Sequence, residues 1–360
     1  MEYYIFVTNK CNLNCKYCSV MLKNEEHNIP SEPIYSLEQL NLFIHNTQIK
    51  YNDSCADVVF FGGEPTLNYE YIQDIIESQQ KKENKYYKFN YMLHTNGLEL
   101  CNIPDNILSL IDSIMLSINY DMIPHAQLNE GYFGQIANSI NNVKKRKNIP
   151  IVGRLTITED TSLLTEISLF NGLFDAIYWQ IENCYEFEDF KRFYNSYKFE
   201  LELVFNLWLN YLKNGILLNF IPFIASVNFL TVQETSSTFC CGYNKSMVYV
   251  QTNGDCYTCA EDMTTNLNLV GNIYDGILFD NFNLKDTSCF SCQYINLCQG
   301  RCGRMHREFN KNHIEEYCKL NKVLFDLILN NQTTIKHYVE KFNLNLDMTD
   351  DIYHYTEYTP

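Results

Sequence analysis

Between Glu2 and Leu212 the sequence alternates short apolar runs with stretches of helical periodicity, and this alternation restricts the fold more than any other feature of the 360 residues. Glu2–Thr8, Val58–Phe61, Tyr91–His94, Ile114–Ser117, Ile151–Ile157 and Ala176–Gln180 each read as a strand. Most are continuously apolar, as in strands covered on both faces. Between them, Ser36-Leu-Glu-Gln39 is a capping box opening a helix with Leu37, Leu40, Phe43 and Ile44 on one face. Ile72, Ile75 and Ile76 mark a second helix over Tyr69–Ser78, and Ile136, Ile140 and Val143 a third. A long aromatic helix is expected from Phe187 to Leu212. Repeated strand–helix units predict an α/β fold with a parallel sheet covered by helices.

The polar residues of this half gather at strand ends. Cys11, Cys15 and Cys18 follow the first strand, Gly62-Gly63-Glu64-Pro65 the second, and Thr95-Asn96-Gly97 the third. Ser117 closes the fourth strand and Arg154 lies within the fifth. In parallel α/β barrels the C-terminal strand ends carry the chemistry.

The first cysteines are spaced C-x3-C-x2-C. Three thiolates on one short loop can hold three irons of a cubane cluster and leave the fourth iron open, whereas a cluster that only carries electrons takes four cysteines. Chance clustering and a zinc site are the alternatives, although zinc sites usually pair CxxC units. The Gly62–Pro65 run reads either as an ordinary turn or as a place where backbone approaches a ligand beside a carboxylate.

After Thr238 the composition changes: nine of the 15 cysteines lie between Cys240 and Cys318. Twelve residues separate Cys241 from Gly254 and four separate Gly254 from Cys259, followed by Cys289-x2-Cys292-x5-Cys298-x3-Cys302 and Cys318. A zinc ribbon or ring-like module is one reading of this constellation. Cys55, Cys101 and Cys184 fit no motif and are expected in the core. The apolar stretch Gly215–Val232, interrupted by Asn219, Pro222 and Asn228, reads as a buried strand or two rather than a membrane span. One helical stretch, with Val323, Leu324, Leu327 and Ile328, is expected after Cys318, and the acidic, Tyr-rich end Asp350–Pro360 is expected to fray.

The formal charge of −16, from 27 basic and 43 acidic residues, argues against a nucleic-acid partner. An odd number of cysteines in metal-like spacings favours a reducing, cytoplasmic compartment over a disulfide scaffold. Met1–Thr8 is too short and too acidic for a signal peptide, and no membrane association is expected.

The cysteine loop, with Tyr17 just before its last cysteine, resembles the signature of the radical S-adenosylmethionine (SAM) enzymes. The resemblance implies a [4Fe-4S] cluster on Cys11, Cys15 and Cys18 whose open iron is chelated by SAM. Reductive cleavage would then yield a 5′-deoxyadenosyl radical that abstracts hydrogen. Gly62-Gly63-Glu64-Pro65 looks like the family's GGEP motif, expected to bind the SAM amino group. By the same resemblance Ser117 and Arg154 would reach its carboxylate and ribose, with Asn96 beside them.

The pattern from Cys241 to Cys318 resembles the seven-cysteine SPASM extension. It implies a partial (β/α)6 TIM-like barrel followed by a small cysteine-rich SPASM domain with two auxiliary [4Fe-4S] clusters. The expected organisation is a radical core over 1–214, a bridging segment over 215–238, the auxiliary-cluster domain over 239–320, and a helical cap with an acidic tail over 321–360. Cys289, Cys292, Cys298 and Cys318 would hold the outer cluster, and Cys241, Cys259 and Cys302 the inner one. Cys240 or Cys256 would complete the inner set, or neither, leaving an open iron for a substrate thiolate.

The resemblance implies a maturase that acts on a peptide or protein and installs a thioether or carbon–carbon crosslink. Only ten residues precede Cys11, so a leader-binding domain is not expected there and a separate leader-binding protein would serve. A ferredoxin or flavodoxin is the expected reductant. Anaerobic sulfatase-maturing enzymes, which make formylglycine, are the second reading; they typically carry an aspartate after the cysteine matching Cys259, where this chain has Ala260. Glu261 or Asp262 would be the base there, or simply part of a solvated acidic turn. A non-catalytic multicluster electron carrier is the third reading, opposed by the open-iron spacing and GGEP.

Overall fold

A computed structural model of the chain describes residues 1–15, 17–18, 29–81, 86–119, 132–183, 186–230, 239–261, 263, 266–346 and 359–360. Its strands are β1 (Glu2–Thr8), β2 (Cys55–Gly62), β3 (Lys88–Thr95), β4 (Ser113–Ser117), β5 (Ile151–Ile157), β6 (Ala176–Ile181), β7 (Met247–Val250), β8 (Asp255–Tyr257), β9 (Leu269–Asn272) and β10 (Gly276–Ile277). The helices are α1 (Leu37–Tyr51), α2 (Tyr69–Gln80), α3 (Asp105–Leu108), α4 (Tyr132–Arg146), α5 (Leu163–Phe170), α6 (Phe190–Lys213), α7 (Ile221–Phe229), α8 (Ile295–Cys298), α9 (Gly303–Glu308) and α10 (Lys311–Phe342). They fall into two compact units.

The first unit comprises Met1–Ser117, Met122–Ile151 and Asn244–Asn281. Here β1, β2, β3 and β4 lie parallel in sequence order, with Tyr3 opposite Val58, Val58 opposite Tyr91, and Leu93 opposite Ile114. On its other side β1 pairs in parallel with β7, placing Tyr4 against Tyr249, and β7 to β10 continue as antiparallel neighbours. The strands owe their burial to near-continuous apolar sequence: Tyr3, Ile5, Val58 and Phe60 are fully buried. Tyr3 meets Phe43 of α1 edge-on at 6.1 Å, so odd-numbered β1 residues face the helices. Even-numbered ones face the opposite side, where Tyr4 stacks on Tyr249 at 4.4 Å.

The second unit comprises Ile118–Asp121, Val152–Tyr243 and Phe282–Pro360. In it β5 and β6 pair in parallel, with Arg154 opposite Tyr178. Its core is aromatic: Phe223 of α7 packs against Trp179, Trp208 and Phe205 at 5.3, 5.4 and 5.4 Å. Each such ring contributes roughly 1.5–3 kcal/mol by leaving water. The Trp208 indole donates to Leu218 O at 3.0 Å, satisfying its buried N–H.

Several elements differ from expectation. The stretch expected as strands is instead helix α7, and only Phe220 bridges to Ile177. An all-apolar run has no period to separate strand from helix, and Pro222 sits in the first turn, where its missing N–H costs nothing. The aromatic helix begins at Phe190, where Asp189 caps Arg192 N, and not at Phe187. Ser36 caps Gln39 N, and the Gln39 side chain donates to Ile273 O at 2.9 Å. Cys318 lies inside α10, not ahead of it.

Two of the three cysteines expected in the core are elsewhere. Cys101 is exposed, and Cys55 is half-buried on β2, donating to Asp57 Oδ1 at 3.2 Å and accepting from Asn90 at 2.9 Å. Cys184 lies outside the described residues. Of the end expected to fray, Thr359 and Pro360 are buried, with Pro360 O accepting from Arg301 Nε at 2.7 Å; 350–358 lie outside the described residues. Among the described residues no helix is long and apolar enough to cross a membrane.

Candidate radical and auxiliary-cluster sites

The end of β1 turns directly into the cysteine loop, and the turn is held from several sides. Gly63 N donates to Thr8 O at 2.9 Å and Glu64 N to Lys10 O at 2.8 Å. A Cβ on Gly62 would stand 2.1 Å from Thr8 O, and one on Gly63 2.3 Å from Lys10 O. The space these glycines leave is therefore occupied by the protein's own main chain, a reason the sequence did not display.

Glu64 is 1% exposed. Its Oε1 accepts from Thr66 N at 3.1 Å, Thr66 Oγ1 at 2.6 Å and Thr95 Oγ1 at 2.6 Å, and its Oε2 accepts from Asn96 N at 2.7 Å. Burial raises its pKa above the ordinary carboxylate value, opposed by these hydrogen bonds from Asn96, Thr66 and Thr95. The carboxylate caps the short 3-10 turn Pro65–Asn68 and ties the end of β2 to the end of β3.

Asn96 extends that tie. Its Nδ2 donates to Asn12 Oδ1 at 2.8 Å, inside the cysteine loop, and lies 4.0 Å from Cys11 Sγ. Cys18 N donates to Cys15 O at 3.1 Å, which folds the loop into a turn. Burial pushes the Cys11 thiol up to about 11, with Glu64 and Cys18 adding to the rise. Cys15 is pushed up to about 12 by burial and by Cys18 and Cys11, against a hydrogen bond with Tyr17. Three thiols thus lie within electrostatic reach of one another.

Upstream, buried Asn9 donates through Nδ2 to Pro30 O at 2.8 Å, Gln251 Oε1 at 3.0 Å and Thr252 Oγ1 at 2.8 Å. The residues just after β7 therefore fix the entry to the cysteine loop. Half-buried Ser117 lies 2.8 Å from His94 Nε2 through its Oγ, and His94 packs against Phe61 at 5.0 Å. Arg154 belongs to the second unit, where it donates to Gln180 Oε1 at 2.6 Å.

The later cysteines divide between the units. In the first, Cys259 is half-buried after β8, whereas Cys256 on β8 is fully buried. Burial raises the Cys256 thiol well above its ordinary range, and it stands within electrostatic reach of Tyr3 and Tyr35 in the core. Half-buried Glu261 follows, and Asp262 lies outside the described residues.

In the second unit, burial and neighbouring thiols raise Cys289, Cys298 and Cys318. Burial first, then Cys318 and Cys292, pushes Cys289 up to about 11. Cys298 is raised by burial, then by Cys240, Cys289 and Cys318. Cys318 is raised by burial and by Cys292. Cys240 donates to Arg301 O at 2.9 Å, half-buried Cys241 follows it, and Cys302 caps α9 with Asn183 Nδ2 at 3.9 Å from its sulfur.

Among the described residues no three His, Cys, Asp or Glu side chains converge as the ligands of a single metal ion do. A cubane asks for something different, since each of its cysteines holds its own iron. Neighbouring thiols on short turns, each needing only to lose a proton, fit that donor set.

Asn9, Asn12, Thr66, His94, Gln251, Thr252 and Arg301 did not stand out in the sequence. Thr66 was the most accessible of these, because a side chain capping the residue two further on is a local signal. The others act across elements distant in sequence.

The family model described as the Radical SAM superfamily matches residues 5–155. A cysteine-type anaerobic sulfatase-maturating enzyme of Clostridium perfringens is 24% identical over 352 residues, covering 88% of this chain and 92% of that one. The radical SAM cyclopropyl synthase TigE of Paramaledivibacter caminithermalis is 23% identical over 369 residues, covering 93% and 75%. The solved structure of native anSMEcpe with bound AdoMet matches with a TM-score of 0.71 at 19% identity, covering 96% of this chain and 100% of that one. Streptococcus suis SuiB bound to precursor peptide SuiA matches with a TM-score of 0.51 at 13% identity, covering 85% and 73%. Residues 5–155 therefore form a radical SAM domain, which makes the chain an enzyme, and a cysteine-rich C-terminal region follows that domain.

Proposed function

We propose that the chain is a peptide maturase that removes hydrogen from a ribosomally made peptide and installs a thioether or carbon–carbon crosslink. The observation that carries this reading is the three-cysteine loop, braced by Asn96 and by the Glu64 clasp at the ends of β2 and β3. In this reading Cys11, Cys15 and Cys18 hold a [4Fe-4S] cluster with one iron left for SAM, and together these groups supply hydrogen-abstracting radical chemistry when bound.

The protein's own residues position that chemistry. Glu64 has its carboxylate engaged by Thr66, Thr95 and Asn96, so it acts as the brace that keeps the loop backbone of Gly62, Gly63 and Pro65 in place for the SAM amino group. Asn96 aligns the cysteine loop, and Tyr17 orients Cys15. Ser117, held by His94, and Arg154, held by Gln180, present polar groups for the SAM carboxylate and ribose. Cys289, Cys292, Cys298 and Cys318 hold an outer auxiliary cluster; the assignment of Cys241, Cys259 and Cys302 to an inner one rests on the cysteine pattern of the sequence alone.

Support for a peptide substrate comes from relatives of the same fold: anSMEcpe has been solved with AdoMet and a Cp18Cys peptide, and SuiB with its precursor peptide. The name cyclopropyl synthase in a second relative denotes carbon–carbon bond formation. A separate leader-binding protein and a ferredoxin or flavodoxin complete the proposed system.

Sulfatase-type oxidation to formylglycine is the second reading, favoured by the extent of the match to the Clostridium perfringens enzyme. Ala260 after Cys259 weighs against it. The electron-carrier alternative does not stand for an enzyme of this superfamily.

The test is anaerobic co-production with short peptides encoded beside the gene, in deuterated water, followed by accurate mass. Loss of two hydrogens, localised by fragmentation to a new bond between residues, supports the crosslinking reading. A cysteine or serine converted to formylglycine would replace it with the second. Retention of SAM cleavage in Cys15→Ala would overturn the cluster assignment beneath both.

A further inference from the structure

His306 lies between Cys302 and Cys318, in the last turn of α9, and has no place in the cysteine pattern. Its ring is stacked on Phe239 at 5.7 Å, with 28° between the planes. Its Nε2 lies 3.1 Å from Gly300 O and 3.5 Å from Cys289 Sγ. A carbonyl oxygen can only accept, so Nε2 must carry a hydrogen. The tautomer is thereby fixed, and that one N–H is shared between Gly300 O and, at the longer distance, the sulfur of Cys289.

Nearby, Cys289 N donates to Thr287 Oγ1 at 3.2 Å, and Cys292 N to Cys289 O at 2.8 Å, which fixes the backbone beneath that sulfur. Buried Arg301 is held by Ile181 O at 2.7 Å and Pro360 O at 2.7 Å and stacks over Tyr317 at 4.5 Å. Its main-chain N–H donates to Cys298 O at 2.9 Å and its carbonyl accepts from Cys240 Sγ at 2.9 Å, so Arg301 sits on the same turn as these cysteines.

We infer that His306 is a positioning residue for the outer auxiliary cluster, donating its Nε2–H to the Cys289 thiolate and making that cluster easier to reduce. The inference rests on the reading that Cys289, Cys292, Cys298 and Cys318 hold that cluster. A hydrogen bond to a ligating sulfur withdraws charge from it, and an added electron is then better accommodated. Arg301 works in the same direction through its positive charge. An outer cluster tuned in this way is suited to accept the electron left on a substrate after hydrogen abstraction.

The test uses full-length protein loaded with iron and sulfide, carrying Cys11→Ala, Cys15→Ala and Cys18→Ala so that only auxiliary clusters contribute. Iron content and Mössbauer spectra come first. Absence of auxiliary clusters would sink the underlying assignment, independently of His306. With clusters present, potentiometric titration followed by EPR should give His306→Phe one midpoint more negative than the parent, with the second cluster unmoved. His306→Gln keeps an N–H donor and should stay close to the parent. Equal midpoints for His306→Phe and the parent, at equal cluster content, would overturn the inference. So would a loss of clusters in His306→Phe combined with a shifted midpoint in His306→Gln, because a retained donor would then have failed to hold the potential.

Discussion

The side chain of Asn96 donates to Asn12 Oδ1 at 2.8 Å, while its main-chain N–H donates to Glu64 Oε2 at 2.7 Å. One residue thus links three loops: those after β1, β2 and β3. Asn96→Ala keeps the main-chain bond and loses the side-chain one. A single hydrogen bond of this kind contributes about 1 kcal/mol, or roughly fivefold. SAM cleavage by the loaded enzyme should therefore fall by about that factor; unchanged cleavage would show that the Asn12 link is dispensable.

Gly63→Ala should be far more damaging. The added methyl would meet main chain at Lys10 and not a side chain that could swing away. The loop that starts at Lys10 must move, at a cost of about 1–3 kcal/mol. The expected result is a far-UV circular dichroism spectrum like the parent's with at least about a tenfold loss of SAM cleavage. Wild-type cleavage would mean that the loop adapts.

Burial holds the Cys11 and Cys15 thiols up to about 11 and about 12, so both are protonated near neutral pH. Metal ligation needs thiolates. Loading the metal-free loop should release about one proton per ligating cysteine, and loading should quicken as pH rises from 7 to 9. Weakly buffered indicator titrations during reconstitution measure this directly, with Cys15→Ala releasing fewer protons. A pH-independent rate would show that deprotonation does not limit loading.

Asn9→Ala strips buried Gln251 and Thr252, and half-buried Pro30, of a shared donor. Unmet buried polar groups cost about 1–3 kcal/mol. The urea midpoint should fall by a corresponding amount, and cluster content should fall with it. A variant as stable as the parent would show that water replaces the amide.

Cys256→Ala should keep the full complement of iron and sulfide, because that thiol lies fully buried beside Tyr3 and Tyr35. Loss of about four irons per chain would instead identify it as a cluster ligand.

The strands of the first half were legible because covered parallel strands are written as bounded apolar runs, as in Glu2–Thr8. The stretch around Pro222 was not, because uniform apolarity carries no period. The cysteine loop could be found from spacing alone, since its chemistry is contiguous. The brace around it could not: Asn9 and Gln251 lie 242 positions apart, and no local pattern announces their hydrogen bond. The two glycines at the end of β2 were visible, but their tight fit against Thr8 and Lys10 depends on where β1 ends.

That separation has a consequence in time. Ribosomes extend a chain at about 5–20 residues per second. The partner that β1 meets in β7, and the amide that Asn9 meets in Gln251, are made roughly 10 to 50 seconds after the cysteine loop itself. For that interval the nascent chain carries Cys11, Cys15 and Cys18 on a strand end braced by the Glu64 and Asn96 contacts alone, so the first cluster is expected to reach its full stability only after Gln251 has been made.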